Sequence, residues 1–511
     1  MCPMSSDTLQ PPQTNDERLS LPADRLIIAT NRGPVEYVVT REKTLKARRG
    51  SGGVVTALSS MLNRVNATWV ALAMTDGDRR ALEDSHEGLL ESPVREMHVR
   101  LRYVVVPHSV YRKHYDLMSN RVLWFTQHYL LEQGEDAFSA EKLHDAWENG
   151  YSRVNEVIAA AICEEIEREP SKAMVMLHDY HLYLVSAWVR ERHPDIAMQQ
   201  FIHIPWPESR YWASSLPTDI MSAIFEGLLG NDILGFQTRR DANNFLEGVQ
   251  TLLGSEGAQV EEDRRAIVWK DHRTHVRDYP ISISVTDERK LMRSRASQRA
   301  LDQIKPFLQQ YTIMRVDRIE PTKNIVQGFQ AYDTLLERHP ELHKKVTFLA
   351  FLVPSRQSLS LYRKYQDQTL KTIAEVNEKY QTPDWTPLHA FVQNDRVVAL
   401  TALQYYDALL VNPVIDGMNL VAKEGPVVNT TNGVLVLSRS SGAFQQLAKA
   451  CLPISPADRL ETAEALYKAL TLPKEERQHL LQLAREEIER NDLHAWMAQQ
   501  IREMTEVFKT K

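Results

Sequence analysis

Short apolar runs that stop abruptly at polar or turn residues recur along this chain. Leu26–Ala29 ends in TNRG, Ala173–Leu177 ends in HDYH, and Phe201–Ile204 leads into PWP. Each run is continuous rather than alternating, as a strand covered on both faces requires, and so predicts a parallel sheet flanked by helices. The segments between the runs supply those helices. Arg153–Arg168 places Val154, Val157, Ile158, Ala161 and Ile162 on one stripe, with Glu164, Glu165, Glu167 and Arg168 largely opposite. After Leu253 the pattern gives way to a polar stretch broken only by Ala266–Trp269 and Thr274–Val276. It then resumes with Tyr311–Val316, a helix around Ile325–Arg338, Val346–Val353, Val397–Leu400, Ala408–Val411 and Val434–Leu437, and closes on a charged helical stretch from Glu461. This predicts an α/β protein of two units, with a polar tail over 1–22, a first unit over 23–280 and a second over 281–489.

Composition narrows the function classes. At 511 residues the chain exceeds what one hydrophobic core ordinarily serves, and 43% hydrophobic with 25% charged residues describes an ordinary folded protein. Lys plus Arg number 61 against 67 Asp plus Glu, a net charge of −6. That near-balance offers no field for a long nucleic acid, while leaving room for a local basic pocket that takes a small phosphorylated ligand. Cys2, Cys163 and Cys451 lie far apart and form no zinc or CxxC pattern. The polar first twenty residues lack the apolar core of a signal peptide, and no apolar run is long enough to span a bilayer. The expectation is a cytoplasmic protein acting on small molecules, without nucleic acid or membrane partners. A homo-oligomer, dimer or tetramer, is common at this size.

Two parallel sheets facing one another create a cleft, and ligands bind beyond the carboxyl ends of the strands. The polar motifs sit there. RRGSGG, Arg48–Gly53, precedes the plausible helix VVTALSSML, and its glycines let the backbone approach an anion at a helix start; an ordinary loop leading into a helix reads the same way. Arg32 follows the first strand and suits either an anion or a neighbouring carboxylate. In HDYH, Asp179 and the histidines suit sugar hydroxyls, structural hydrogen bonds or, with a further ligand, a metal. His203 stands inside an apolar run, where a satisfied core histidine is the commoner outcome. In VDRIEPTKN, Arg318 and Lys323 can converge on a leaving diphosphate or merely pair with Asp317 and Glu320. Arg356, beyond another apolar run, has the same two readings. DGMNLVAKE offers Asp416 for sugar hydroxyls, Gly417 for close backbone approach, the N–H groups of Met418–Val421 at a helix start, and Glu424 for a ribose; an Asp-capped packing helix is the bland alternative.

The phrases HDYHL, FIHIPWP, LLGNDILGFQT, RVDRIEPTKN, WTPL and DGMNLVAKE, in that order over about residues 25–505, resemble a family 20 glycosyltransferase, the group typified by trehalose-6-phosphate synthase. The resemblance implies a GT-B fold, two facing Rossmann-like domains with a C-terminal helix at about 490–511 returning to the first. It implies retaining transfer of glucose from a nucleotide diphosphate glucose to glucose 6-phosphate, with no metal and no cofactor beyond the donor, whose base (UDP, GDP or ADP) stays open. Carried over by position, catalytic roles fall to Arg318, Lys323, His203 and Asp179. Donor contacts fall to Gly53, Asp416, Gly417, Met418, Asn419, Leu420, Val421 and Glu424, and acceptor contacts to Arg32, Tyr115, Trp124, Asp179 and Arg356.

Three departures qualify the acceptor. The family phrase WFGWSG reads WVALAM here, with Leu72 where a tryptophan faces the acceptor; Leu-Asp-Tyr-Ser-Lys-Gly reads Ile319–Asn324 as IEPTKN; and Gly-Pro-Val-Val-Asn follows Glu424. With HIPWP and RYW, these features resemble the validoxylamine 7′-phosphate synthase branch. Other phosphorylated acceptors (an aminocyclitol phosphate, a modified sugar phosphate, glycerol 3-phosphate) therefore stand as alternatives, and a non-catalytic phosphosugar-binding regulator stands as an alternative of another class.

Overall fold

The computed structural model describes residues 23–510 except 41, 51–65, 84, 86, 87, 95–97, 132–138 and 170. The tail over 1–22, Gly53 and the segment VVTALSSML fall outside the described residues. Among those described, the strands form a ten-stranded sheet, a six-stranded sheet and a small hairpin, Val35–Val39 with Leu45–Arg49.

The six-stranded sheet is parallel throughout, in the order Leu388–Val392, Val346–Pro354, Tyr311–Ile319, Ala408–Val411, Val434–Ser438, Leu452–Ile454. Numbered along the chain this is the doubly wound order 3-2-1-4-5-6, whose direction reverses between Tyr311–Ile319 and Ala408–Val411. The larger sheet has a parallel centre in which Arg25–Arg32 lies between Ala67–Leu72 and Ala173–His178. The chain first winds outward to Arg100–Val104, then returns to the other side through Ala197–Phe201, Ile233–Phe236 and His272–Asp278. Its reversal falls beside Arg25–Arg32. Each sheet thus opens a crevice at its strand ends, the position where such sheets take ligands.

Most of the predicted runs are strands, and two are not. The run Phe201–Ile204 does not form a strand of its own: the strand is Ala197–Phe201, and the chain leaves the sheet after Phe201. The apolar pattern continues past the strand because Ile202, Ile204 and Trp206 pack into a separate aromatic cluster with Trp212, Phe225 and Phe245. The strand itself was partly hidden because Gln199 and Gln200 are buried polar residues whose amides donate to Gln500 and to the Asp179 carbonyl. Val397–Leu400 belongs to the helix Arg396–Ala402, which Asp395 caps by accepting from the Val398 N–H at 3.0 Å. The stretch from Glu461 resolves into three helices, Arg459–Thr471, Lys474–Arg490 and Leu493–Thr510.

The last helix crosses back to the first sheet. Gln199 donates to Gln500, Arg277 pairs with Glu503 at 2.7 Å, and the Trp496 indole donates to the Tyr279 carbonyl at 2.9 Å. Cys163 and Cys451 are buried and free. Among the described residues no helix is long and apolar enough to cross a membrane.

Candidate active site

A cavity of about 590 Å³ lies where the two crevices face each other. The first sheet contributes Arg32, Tyr115, Trp124, Asp179 and His203 to its wall, and the second contributes Arg318, Lys323, Arg356, Asp416, Gly417, Met418, Asn419 and Leu420. Val421 and Glu424 are not part of that wall. Val421 opens the helix Val421–Val428, and Glu424 sits one turn further, paired with Arg396 at 3.3 Å. Gly53 lies outside the described residues.

The second-unit wall is organised around two carboxylates, the part-buried Asp416 and the fully buried Glu320. Asp416 pairs with the Lys323 ammonium and accepts from the Asn419 amide at 3.1 Å. Burial pushes the Asp416 carboxyl up, but Lys323, His128 and Arg318 outweigh it and hold it below its ordinary value. Glu320 is fully buried, and one of its oxygens meets Arg318 at 3.1 Å, Arg356 at 3.0 Å and the Ser355 hydroxyl at 2.8 Å. Burial again pushes up; Arg318, Arg356 and Lys323 win and hold the carboxyl at about 2. Glu320 therefore stays ionised and fixes the Arg318 and Arg356 guanidinium groups, the first of them on the same wall as Lys323, where the two cations suit a diphosphate.

Arg356 reaches across to the first unit. Its guanidinium lies 3.8 Å from the Trp124 ring centroid, and its Nε donates to Asn120 at 3.3 Å, the same oxygen that takes the Tyr180 hydroxyl at 3.1 Å. Arg32 is half exposed, with Glu36 a loose partner at 3.9 Å, so it remains available to an anion. Tyr115 and Trp124 are nine positions apart on one helical run. At about 3.6 residues per turn they would point to opposite sides. The wider i→i+5 turns over Lys113–Leu123 bring both to the cavity.

Asp179 turns off its strand at a φ of 73°, and one carboxylate oxygen is buried without a partner among the described residues. Burial pushes this carboxyl up to about 7, against the pull of the Tyr180 and His203 N–H groups and Arg356. A buried acceptor without a partner is what a sugar hydroxyl would satisfy. His178 and His203 share a proton between Nδ1 and Nε2 at 3.2 Å, and burial keeps both rings neutral, His178 at about 3. His203 is partly buried on the cavity wall, and its carbonyl stands so close to Gly417 that a Cβ there would meet it at 2.5 Å. Glycine at 417 lets the two units meet. Among the described residues no group of three His, Cys, Asp or Glu is placed to hold a metal ion.

Asn120, His128, Glu320 and Gln237 are among the wall residues to which the sequence reading gave no site role. His128 stacks on Trp124 at 3.9 Å and donates Nδ1–H to the Trp124 carbonyl at 2.8 Å, which leaves Nε2 as an acceptor. Glu320 alone carried a sequence signal, since it occupies the acidic position of the family phrase. The others are polar residues without a motif. Leu72 is buried against the helix Arg153–Arg168 and borders a minor cavity of about 20 Å³ that it shares with Arg32, rather than lining the main cavity.

Comparison with known proteins agrees with this geometry. The model of Glycosyltransferase family 20 matches residues 24–506. The trehalose-6-phosphate synthase of Citrobacter koseri is 34% identical over 406 residues, covering 78% of this chain and 81% of that protein. The trehalose-6-phosphate synthase of Klebsiella pneumoniae is 30% identical over 491 residues, covering 94% and 95%. A solved E. coli structure, described as trehalose-6-phosphate bound with UDP-2-fluoro glucose, superposes with a TM-score of 0.80 at 26% identity, covering 94% of this chain and 99% of its own.

Proposed function

The chain belongs to glycosyltransferase family 20, a retaining nucleotide-sugar-dependent enzyme of GT-B fold, and from that premise we propose that it transfers glucose from UDP-glucose to glucose 6-phosphate, giving trehalose 6-phosphate. The observation that carries this reading is the pairing of Lys323 with Asp416 on the wall that also holds Arg318. One side of the pair faces a departing diphosphate and the other a sugar. UDP as the donor nucleotide is supported by the UDP-2-fluoro glucose in the E. coli relative and by a Dictyostelium discoideum relative described as UDP-forming, 29% identical over 92% of this chain.

The reaction proceeds on one face of the donor sugar. The acceptor hydroxyl attacks the anomeric carbon as the bond from that carbon to the diphosphate oxygen breaks, and the hydroxyl proton passes to the departing phosphate oxygen. Arg318 and Lys323 stabilise the charge that grows there, an interaction stronger in the transition state than in the ground state. Asp416 and Asp179 accept from sugar hydroxyls and fix the two rings. Arg32, half exposed at a strand end, and Arg356, behind Trp124, supply the positive charge for the acceptor phosphate. No pair of carboxylates flanking the bond is required, unlike in a glycosidase.

A second acceptor reading rests on Leu72, which leaves the indole of the family tryptophan missing beside Arg32. The test is a matrix of UDP-, GDP- and ADP-glucose against glucose 6-phosphate, free glucose, an aminocyclitol phosphate and glycerol 3-phosphate, with products identified by mass. Highest kcat/KM for UDP-glucose with glucose 6-phosphate is expected. A preference for the cyclitol phosphate moves the assignment to that acceptor, and nucleotide binding without release across the whole matrix makes the protein a regulator.

A further inference from the structure

The segment that joins the two units, residues 279–284, belongs to neither a helix nor a strand. Its peptide groups are buried, so each needs a partner from elsewhere. The Tyr279 carbonyl takes the Trp496 indole at 2.9 Å, and the Ile283 carbonyl takes the Leu493 N–H at 3.0 Å, both from the returning C-terminal helix. Pro280 has no N–H to satisfy. At Ile281 one partner comes from each unit, Gln237 of the cavity wall and Lys423 of the helix Val421–Val428. Its N–H donates to Gln237 Oε1 at 3.0 Å, and its carbonyl accepts from Lys423 Nζ at 2.7 Å.

Each partner leads further into the site. The other end of Gln237 donates to the His203 carbonyl at 3.4 Å, the atom against which Gly417 packs. Lys423 lies on the helix Val421–Val428, between the sugar loop at Asp416–Leu420 and Glu424, and its second bond goes to Gln446 at 2.7 Å. Lys423 is 1% exposed, and the hydrogen bonds of its ammonium go to a main-chain carbonyl and a side-chain amide. Burial pushes its ammonium down to about 7. A buried lysine satisfied by a carbonyl and an amide is costly to keep, and neither bond serves packing of its own helix.

We propose that Lys423 and Gln237 are positioning residues forming one interdomain strap through Ile281, so that seating the donor nucleotide on the helix Val421–Val428 is transmitted to the His203 wall on the acceptor side. The strap links donor helix, crossing segment and acceptor loop through three successive hydrogen bonds, and Ile281 is itself part of the cavity wall. Any movement of the helix toward a bound nucleotide pulls Ile281 and, through Gln237, the His203 carbonyl. Neither residue need touch the reacting atoms.

The inference rests on the nucleotide-sugar reading only through that helix as donor seat. UDP binding is therefore recorded first by calorimetry on the full wild-type chain, and the nucleotide that binds, UDP or failing it GDP or ADP, is used next. Absence of UDP binding counts against the donor assignment alone. With nucleotide bound, amide exchange over residues 281–284 should slow by roughly tenfold; unchanged exchange overturns the strap. In steady state, Lys423→Met should lower kcat about tenfold with donor KM shifted less than about threefold, and Gln237→Leu should behave alike. The double variant should lose no more than about twofold beyond the worse single, because both substitutions cut one connection. Losses that multiply, or an unchanged kcat in Lys423→Met, overturn it, and the wild-type exchange result decides the matter should either variant fail to fold.

Discussion

At Lys323 and Asp179 the site holds its charges in opposite ways. Lys323 is 12% exposed in its side chain and paired with Asp416, so the protein itself holds its cation in place. Preorganised charge of this kind is worth several kcal/mol where negative charge develops. Lys323→Ala should lower turnover at saturating donor by roughly 10² or more, with a melting curve recorded beside it to show that the fold persists; near-wild-type turnover contradicts the assignment. Among the described residues Asp179 has no cationic partner at bonding distance, and its folded value of about 7 stands above the ordinary 3.8. The folded state therefore keeps a proton that the unfolded chain releases. Its contribution to stability is complete below about pH 4 and is lost as pH rises through about 7. Asp179→Asn should remove that loss, so that the variant gains in Tm over wild type between pH 5 and pH 8. A Tm difference independent of pH over that range contradicts the burial argument.

The elements show where sequence patterns suffice and where they do not. Parallel strands such as Tyr311–Ile319, Val346–Pro354 and Ala408–Val411 were legible because burial on both faces forces continuous apolar runs, and the polar motifs could be placed at their ends. The helix Ile325–Arg338 was legible from its stripe. Gln199 and Gln200 hid a central strand, since their partners, Gln500 and Asp179, are set by tertiary contact. The common facing of Tyr115 and Trp124 was equally hidden, because no periodicity announces i→i+5 turns. Glu320 was named as a bland salt-bridge partner, and only the fold brings Arg356 and Ser355 to it from 36 and 35 positions away. The altered family phrase IEPTKN also becomes intelligible as geometry. Asn324 holds the φ of 57° that the family glycine would adopt freely, and adds a bond to the Pro456 carbonyl at 2.8 Å. Asn324→Ala should destabilise by about 1–2 kcal/mol and Asn324→Gly by less, as read from denaturant midpoints; equal costs would contradict the left-handed backbone as the cause.

For the whole molecule, function depends on how the two units meet. The Gly417 backbone packs against the His203 carbonyl across the cavity, and Arg356 stacks on Trp124. Gly417→Ala places a methyl where a backbone oxygen stands at 2.5 Å, within a part that is not a flexible side-chain end. Each sheet packs one face on a core confined to its own unit, so the variant should fold while its kcat/KM falls by about 10². Unchanged kcat/KM would show that the approach is not needed for turnover. A closed cavity also serves to keep water from the activated sugar, which separates transfer from hydrolysis. The most direct measurement of the central claim follows the donor's anomeric carbon, isotopically labelled in UDP-glucose, by NMR during reaction with glucose 6-phosphate. One UDP should be released per disaccharide phosphate formed, with the labelled carbon retaining its α configuration in a linkage to the acceptor's anomeric oxygen. A β linkage, or labelled free glucose as the main product, would contradict it.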